Sequence, residues 1–548
     1  MSDRSFSSPI GRRQFVQGSA LATGAFFINS KFSLKMLADE PPSPFTLPWI
    51  QPLRFAPYAV PIPTFAQLDP LPEPARHQRY DEFAPVHFYN MNVTEQLVRP
   101  HPQLGFSRCF VYGSSVPGVT FMHRYGQPVL CRINNHLPTV VTGFGSSEVI
   151  THVHNGFHAP ESDGFPEDRF SPGLFKDHHW ANTYASGNSL ESKGTLWYHD
   201  HCLDFTAQNT YRGLAGFFLL FDERDSGVET DPNPDAFRLP SGVPDGRRVR
   251  NRYDIPLLFT DRRFDQNGLL AFDPMNMDGI IGDKFLVNGL VQPYFEVERR
   301  KYRFRLLVGG PSRFFDIWFS NGMTFDVVAS DGNMLPAPIT AANVKLGVAE
   351  RADIIVDFSE LPESTTEVYL VNRAEQRDGR GPTGTTLPMA TAPRMLKLAV
   401  RPGMVNDPSR VPATLLPKPA MDVPVVQERN WHFDRTNGMW TVNGQLFDHN
   451  RCDAACKQGT AEIWHFSTSG GWAHPVHVHC EEPIILSYNG KPVGGTILGG
   501  RKDIFTLYPG DEMSVYIRFR DWLGRYPMHC HNTVHEDHAM MVRWDIVP

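Results

Sequence analysis

Three consecutive residues near the C-terminus, His529-Cys530-His531, set the strictest condition on how this chain can fold. A further imidazole, His535, follows five residues after the thiol, and a thioether, Met540, follows ten after it. Thiolate, imidazoles and a weak axial thioether are the ligand set of a blue-copper electron-transfer site. Successive side chains of an extended strand point to opposite faces. His529 and His531 then face one way and Cys530 the other, so one strand serves metals on both of its sides, joined by a short covalent path for electrons.

Three upstream elements add imidazoles at similarly close spacing. They are His152-Val153-His154, Trp197-Tyr198-His199-Asp200-His201 and His474-Pro475-Val476-His477-Val478-His479. With His529, His531 and His535 they bring ten of the 22 histidines into four short elements, more than one copper needs. A single His-x-His pair is usually incidental. A structural zinc site wants four ligands and usually paired cysteines, and Cys530 has no Cys-x-x-Cys partner. Four such elements in this order, with Met540 in the axial place, point to several metals.

The 548 residues suggest several domains. The 44 Gly and 47 Pro fit many short strands with frequent turns, and no long segment shows sustained helical periodicity. An all-β, multi-sandwich architecture follows. Residues 129–135, 302–307 and 462–466 each read as alternating strands early in successive thirds of the chain. Val287-Asn288-Gly289 and Val442-Asn443-Gly444 echo one another and are read as opening the second and third units. Boundaries fall near residues 225 and 410. The histidine elements lie only in the first and third units, which puts a metal cluster between them. The middle unit acts as a spacer and shapes the substrate surface. Residues 222–250 and 373–393, rich in Gly and polar residues, read as a linker and a mobile loop.

The formal charge of −7 argues against nucleic-acid binding. Arg12-Arg13 before an apolar stretch from Gly18 to Ile28 resembles a twin-arginine export signal, too short for a secure membrane span. Residues 1–38 are taken as that segment and the product as exported, periplasmic or secreted, and monomeric, with the twin-arginine machinery as a partner and no stable membrane insertion. Cys452 and Cys456 are close enough in sequence for a local bridge in an oxidising compartment. Cys202 and Cys480, each following a candidate ligand, read as buried small apolar residues.

The four elements, with Tyr211-Arg212-Gly213-Leu214-Ala215-Gly216 and His535-Glu536-Asp537-His538, resemble the copper signature of the multicopper oxidases over most of the chain. The match is closest to the bilirubin oxidase and spore-coat laccase branch, and Trp472 just before His474 resembles bilirubin oxidases in particular. The resemblance implies three consecutive cupredoxin-like Greek-key sandwiches, at 45–225, 226–410 and 411–548, and four coppers. It implies that His474, Cys530 and His535 bind a type 1 copper with Met540 axial. It places His152 and His477 on a type 2 copper, and His154, His199 and His531 on one type 3 copper. His201, His479 and His529 would bind the other. The sequence departs from the family at His154-Asn155-Gly156, where Gly usually follows the second His directly.

By the same resemblance the chain passes electrons one at a time from a phenol, aromatic amine or tetrapyrrole through the type 1 site, near His474, to dioxygen. Asp163 and Glu536 match acids that deliver protons there. Trp472, on the same face as His474 in an extended segment, would offer a stacking platform, and the bilirubin oxidase likeness adds a covalent link between the two rings. Two rival functions are a cuprous oxidase, for which Met275 and Met277 are a small methionine pair, and a copper-free envelope scaffold, which retention of all ten His and Cys530 opposes.

Overall fold

The computed structural model describes residues 41–242 and 252–548. The segment expected to be an export signal and part of the first expected linker lie outside the described residues. The chain forms three successive β-sandwiches with cupredoxin-like character. The first packs two four-stranded sheets, with strands between His87–Val98 and Ala215–Phe221. The second packs an eight-stranded on a five-stranded sheet, from Asp254–Phe264 to Arg394–Met404. The third packs a six-stranded on a five-stranded sheet, from Val425–Thr436 to Met541–Val547. Each has its own apolar core, centred on residues such as Phe121 and Trp180, Phe304 and Ile354, and Trp464 and Trp544.

The internal repeat is visible strand by strand. In each sandwich a long opening strand pairs in parallel with one of the three repeated segments. His87–Val98 runs beside Val129–His136, Asp254–Phe264 beside Lys301–Val308, and Val425–Thr436 beside Ala461–Ser467. The two Asn-Gly turns also coincide in detail. Asn288 and Asn443 both adopt left-handed backbone, as does the Gly after each, the conformation of a type I′ turn. Asn288 Oδ1 accepts from the Leu258 amide at 2.8 Å and Asn443 Oδ1 from the His432 amide at 2.7 Å. Each side chain therefore ties its hairpin back to the opening strand, and the turns follow that strand instead of preceding it as the sequence suggested.

Two expectations are corrected. All seven cysteines are free thiols. Cys456 sits in the strand Ala454–Lys457 with its side chain in the core, while Cys452 is exposed. Cys452 stands before that strand, across a bend at Asp453, and the two thiols are unpaired. Residues 373–393 form a docked loop, closed by Thr383 N–H to Glu375 O at 2.9 Å and Leu387 N–H to Arg373 O at 2.8 Å. The loop touches the third sandwich where Ala473 N–H donates to Arg380 O at 2.7 Å. Among the described residues no helix is long and apolar enough to cross a membrane.

Candidate metal centres

Strand pairing places the imidazoles. Thr151–His154 pairs antiparallel with Thr195–Asp200, setting His152 opposite His199. In the third sandwich His474–Val478 pairs antiparallel with Gly524–Cys530, setting His477 opposite His529 and Val476 opposite Cys530. The buried Asp200 carboxylate holds the first pair in shape, accepting from Ile150 N–H at 3.0 Å, Cys202 N–H at 3.1 Å and Asn209 Nδ2 at 2.9 Å.

Five groups of candidate ligand atoms result among the described residues, each within 4.8 Å: His474, Cys530 and His535; His152, His477 and His479; His154, His199 and His531; His201, His479 and His529; and His154, His477 and Asp503, whose carboxylate meets Nδ1 of His154 at 2.6 Å. The strand carrying Cys530 thus serves one group on one face, while its neighbours His529 and His531 serve others on the opposite face. All these residues are buried.

The spacings fit metal chelation. Cys530 Sγ lies 3.5 Å from His474 Nδ1 and 3.6 Å from His535 Nδ1. Ligands at roughly 2.0–2.3 Å from one ion, at near-tetrahedral angles, stand about that far apart. His152 Nε2 and His477 Nε2 are 3.2 Å apart, and His529 Nε2 is 3.1 Å from His201 Nε2 and 3.3 Å from His479 Nε2. The Nε2 atoms of His154, His199 and His531 are buried with no hydrogen-bond partner. A buried polar atom without a partner is costly, and a bound cation removes that cost.

Several outer nitrogens are satisfied instead, although Nδ1 of His201 and of His531 has no hydrogen-bond partner. Nδ1–H of His152 donates to the Asp163 carbonyl at 2.6 Å, that of His199 to the Asp200 carbonyl at 2.8 Å, and that of His479 to Asp163 Oδ2 at 2.7 Å. Nε2–H of His535 donates to the Asp278 carbonyl of the middle sandwich at 3.1 Å. Such contacts fix tautomer and ring orientation. Burial lowers His199 to about 4 and His201 and His474 to about 3, leaving them neutral, the form that binds metal. Burial also pushes the Cys530 thiol well up, so a thiolate at that place calls for a companion cation.

The remaining expected residues fall as follows. Met540 is fully buried, and its backbone brackets the Cys530 group: its carbonyl accepts from Cys530 N–H at 3.0 Å and its N–H donates to His535 O at 3.1 Å. Asp163 sits against His479, and burial pushes its carboxyl up. Glu536 Oε2 lies 3.1 Å from His529 Nδ1 and Oε1 3.6 Å from His201 Nδ1. Burial alone would raise this carboxyl, but the facing imidazoles outweigh it and hold it low. Asn155 resolves the departure after His154: it takes left-handed backbone, φ 61°, the conformation glycine supplies and asparagine tolerates.

Trp472 differs from expectation. It lies in a bend before the strand begins at His474, so strand alternation does not govern it. The indole packed on the imidazoles is Trp440, 3.8 Å from His535 and 5.7 Å from His474 between ring centroids. Trp472 meets Trp440 edge-on at 5.2 Å, with the guanidinium groups of Arg380 and Arg435 over its own ring at 4.9 and 5.4 Å. Nor is the middle sandwich only a spacer, since Asp278 reaches His535 and Arg351 reaches His154.

Sequence reasoning passed over Trp440, Asp503 and Arg351. Trp440 had a signal, lying three residues before the Asn443-Gly444 turn. Asp503 closes the charged run Arg501-Lys502-Asp503 ahead of the apolar strand Ile504–Leu507. Arg351 had none.

Comparison with known proteins agrees with this arrangement. Two family models, both described as multicopper oxidase, match residues 94–225 and 419–548. The bilirubin oxidase of Albifimbria verrucaria is 31% identical over 514 residues, 90% of this chain and 83% of that protein. The laccase of Bacillus subtilis (strain 168) is 28% identical over 529 residues, 87% of this chain and 98% of the relative. Among solved structures, the laccase from Pediococcus acidilactici Pa5930 superposes with a TM-score of 0.73 at 21% identity, covering 93% of this chain and 95% of its own.

Proposed function

This chain belongs to the multicopper oxidase family, and we propose that it couples one-electron oxidation of phenols, aromatic amines or tetrapyrroles to four-electron reduction of dioxygen to water. In this reading His474, Cys530 and His535, with Met540, would hold the type 1 copper. His152 and His477 hold the type 2 copper. His154, His199 and His531 hold one type 3 copper, and His201, His479 and His529 the other. Copper at these places supplies one-electron acceptance at the sulfur-ligated site and dioxygen reduction at the histidine cluster.

The observation that carries the reading is the division of the strand at Cys530: the thiol joins His474 and His535 on one face while His529 and His531 join an all-histidine cluster on the other. The residues around it have distinct tasks. The backbone from Cys530 to His529 and His531 is the electron path. Asp163, pushed up by burial, keeps a proton against His479, and Glu536, held low beside His529, is the carboxylate that takes up and passes on protons there. The partly exposed Trp472 stacks a flat donor and passes on to Trp440, which touches both imidazoles of the sulfur-ligated site. Export to the periplasm is proposed on residues 1–38 alone.

A second reading, cuprous oxidase, has one observation in its favour. Met275 is exposed, and Met277 packs against the core that contains Trp440 and Cys530. Copper per chain and oxygen uptake with a diphenol, bilirubin and Cu(I) side by side test both. The main reading requires a blue, copper-loaded protein that consumes oxygen with the organic donors. Consumption with Cu(I) alone supports the second reading, and a colourless, copper-free chain overturns both.

A further inference from the structure

His154 stands where all three sandwiches meet. Its Nδ1–H donates to Asp503 Oδ2 at 2.6 Å, while its Nε2 faces the cluster without a partner. Asp503 is itself gripped by a guanidinium of the middle sandwich: Arg351 Nη1 donates to Oδ1 at 2.8 Å and Nη2 to Oδ2 at 3.1 Å. The Asp503 backbone carbonyl accepts from His477 Nδ1–H at 2.7 Å. One residue of the third sandwich therefore orients two imidazoles, one by side chain and one by main chain. Those two rings stack, centroids 3.6 Å apart and planes 21° from parallel.

The guanidinium is fixed in turn. Arg351 also donates to the carbonyls of Ala349 and Asp331, each at 3.0 Å. The Asp331 carbonyl also accepts from Asn155 Nδ2 at 2.8 Å, and Asn155 is the left-handed residue directly after His154. Its amide reaches Glu482 of the third sandwich as well. Arg351, Asp503, Asp331 and Asn155 are all buried.

Burying a charge pair is a poor route to stability, because desolvation consumes most of the attraction and apolar groups of the same volume do as well or better. Its merit is geometric: a guanidinium fork meets a carboxylate in one plane with little freedom. Groups that hold the outer nitrogen of a ligating imidazole fix its tautomer and aim.

We propose that Arg351 and Asp503 are positioning residues of the histidine cluster, by which the middle sandwich, which contributes no ligand, sets the aim of His154 and His477. The inference rests on the assignment of these two imidazoles as copper ligands. It adds that their Nδ1–H tautomers, and the cluster's capacity to hold metal, depend on a residue of another domain that touches no metal.

Three variants test it: Asp503→Asn, Arg351→Lys and the double variant Arg351→Met/Asp503→Asn. The first readout is the ring-nitrogen NMR spectrum of the copper-free protein. Wild type is expected to show His154 and His477 as single Nδ1–H tautomers, and the variants a mixture at His154. The second is copper per chain with the paramagnetic resonance spectrum of the loaded protein. The variants are expected to keep the blue Cys530 site and to lose metal affinity or turnover at the histidine cluster by about tenfold or more, with Arg351→Lys intermediate. If a single variant fails to fold because a charge is left buried alone, the double variant, which removes both charges, is read instead. Unchanged tautomers together with a full, spectroscopically normal cluster in the double variant overturn the inference. The tautomer readout needs no copper, so its failure is separable from failure of the oxidase assignment.

Discussion

Trp440 lies face to face on His535, centroids 3.8 Å apart and planes 26° from parallel, and donates its indole N–H to Met277 O at 2.8 Å. The ring is fully buried and supports the imidazole from behind. Trp440→Ala should cost about 3–5 kcal/mol of stability through the cavity it leaves and broaden the blue absorption as His535 loses its support. Trp440→Phe should do much less of both. Thermal unfolding and visible spectra of the two variants decide; an alanine variant as stable and as sharply blue as wild type would show that the stacking does nothing.

Cys530→Ser should abolish the blue colour and substrate oxidation while circular dichroism stays that of the parent. Met540→Leu should raise the potential of the site by removing a donor that favours Cu(II), and Met540→Gln should lower it with a harder oxygen donor. Redox titration of both Met540 variants is the check. A Cys530 variant that remains blue removes the thiol from the site, and an unmoved potential in both Met540 variants removes the thioether.

Asp163→Asn and Glu536→Gln keep shape and remove a carboxyl that can take up and release a proton. In stopped-flow traces, bleaching of the blue band by substrate should run at the parent rate and reoxidation by dioxygen should slow by about tenfold or more. Slowed bleaching with normal reoxidation would place these residues in substrate binding.

Trp472→Ala should impair oxidation of tetrapyrroles and bulky aromatics more than that of a small diphenol, chiefly in KM, because the partly exposed indole offers a stacking face. Equal losses for every donor would argue against a platform. The mass of a digested peptide spanning Trp472 and His474 reports any bond between the two rings.

Acid should destabilise the copper-free protein in a defined window. His201 and His474 are lowered to about 3 and His199 to about 4 by burial, whereas in the unfolded chain they titrate near 6.5. Between those values the unfolded state binds more protons. Stability from these groups is therefore complete above about pH 6.5 and is lost as pH falls toward 3, at up to ~1.4 kcal/mol per pH unit for each imidazole. Denaturant melts of the apoprotein from pH 8 to 4 measure the slope; a flat profile would contradict their buried, neutral state.

Most of the candidate ligands were legible because they lie in, or one residue beyond, short strands whose alternation fixes which neighbours share a face. His535, in the short helix Thr533–Asp537, was legible only from its spacing to Cys530. Trp472 was misplaced for the complementary reason: it stands in a bend, where alternation carries no information. Asp503 and Arg351 were illegible because their role arises from a junction of three domains. Arg351 lies 152 residues from the carboxylate that it grips, and a lone buried arginine in a strand has no local pattern. Asn155 lay between these cases. The sequence showed the departure from glycine, and only the backbone angle showed that asparagine meets the same need.

Each of the five candidate ligand groups includes at least one residue between His474 and His535, and four of them also draw on His152, His154, His199 or His201. The chelating pockets do not exist until the segment from His474 to His535 has been made, and closing them spans loops of more than 300 residues, as from His152 to His477. The entropy of so long a closure grows only slowly with length, but it cannot be met piecemeal. Chains that stop short of His529 cannot form the sulfur-containing pocket or the full histidine cluster, so metal content would report that the third sandwich has been made and docked on the first.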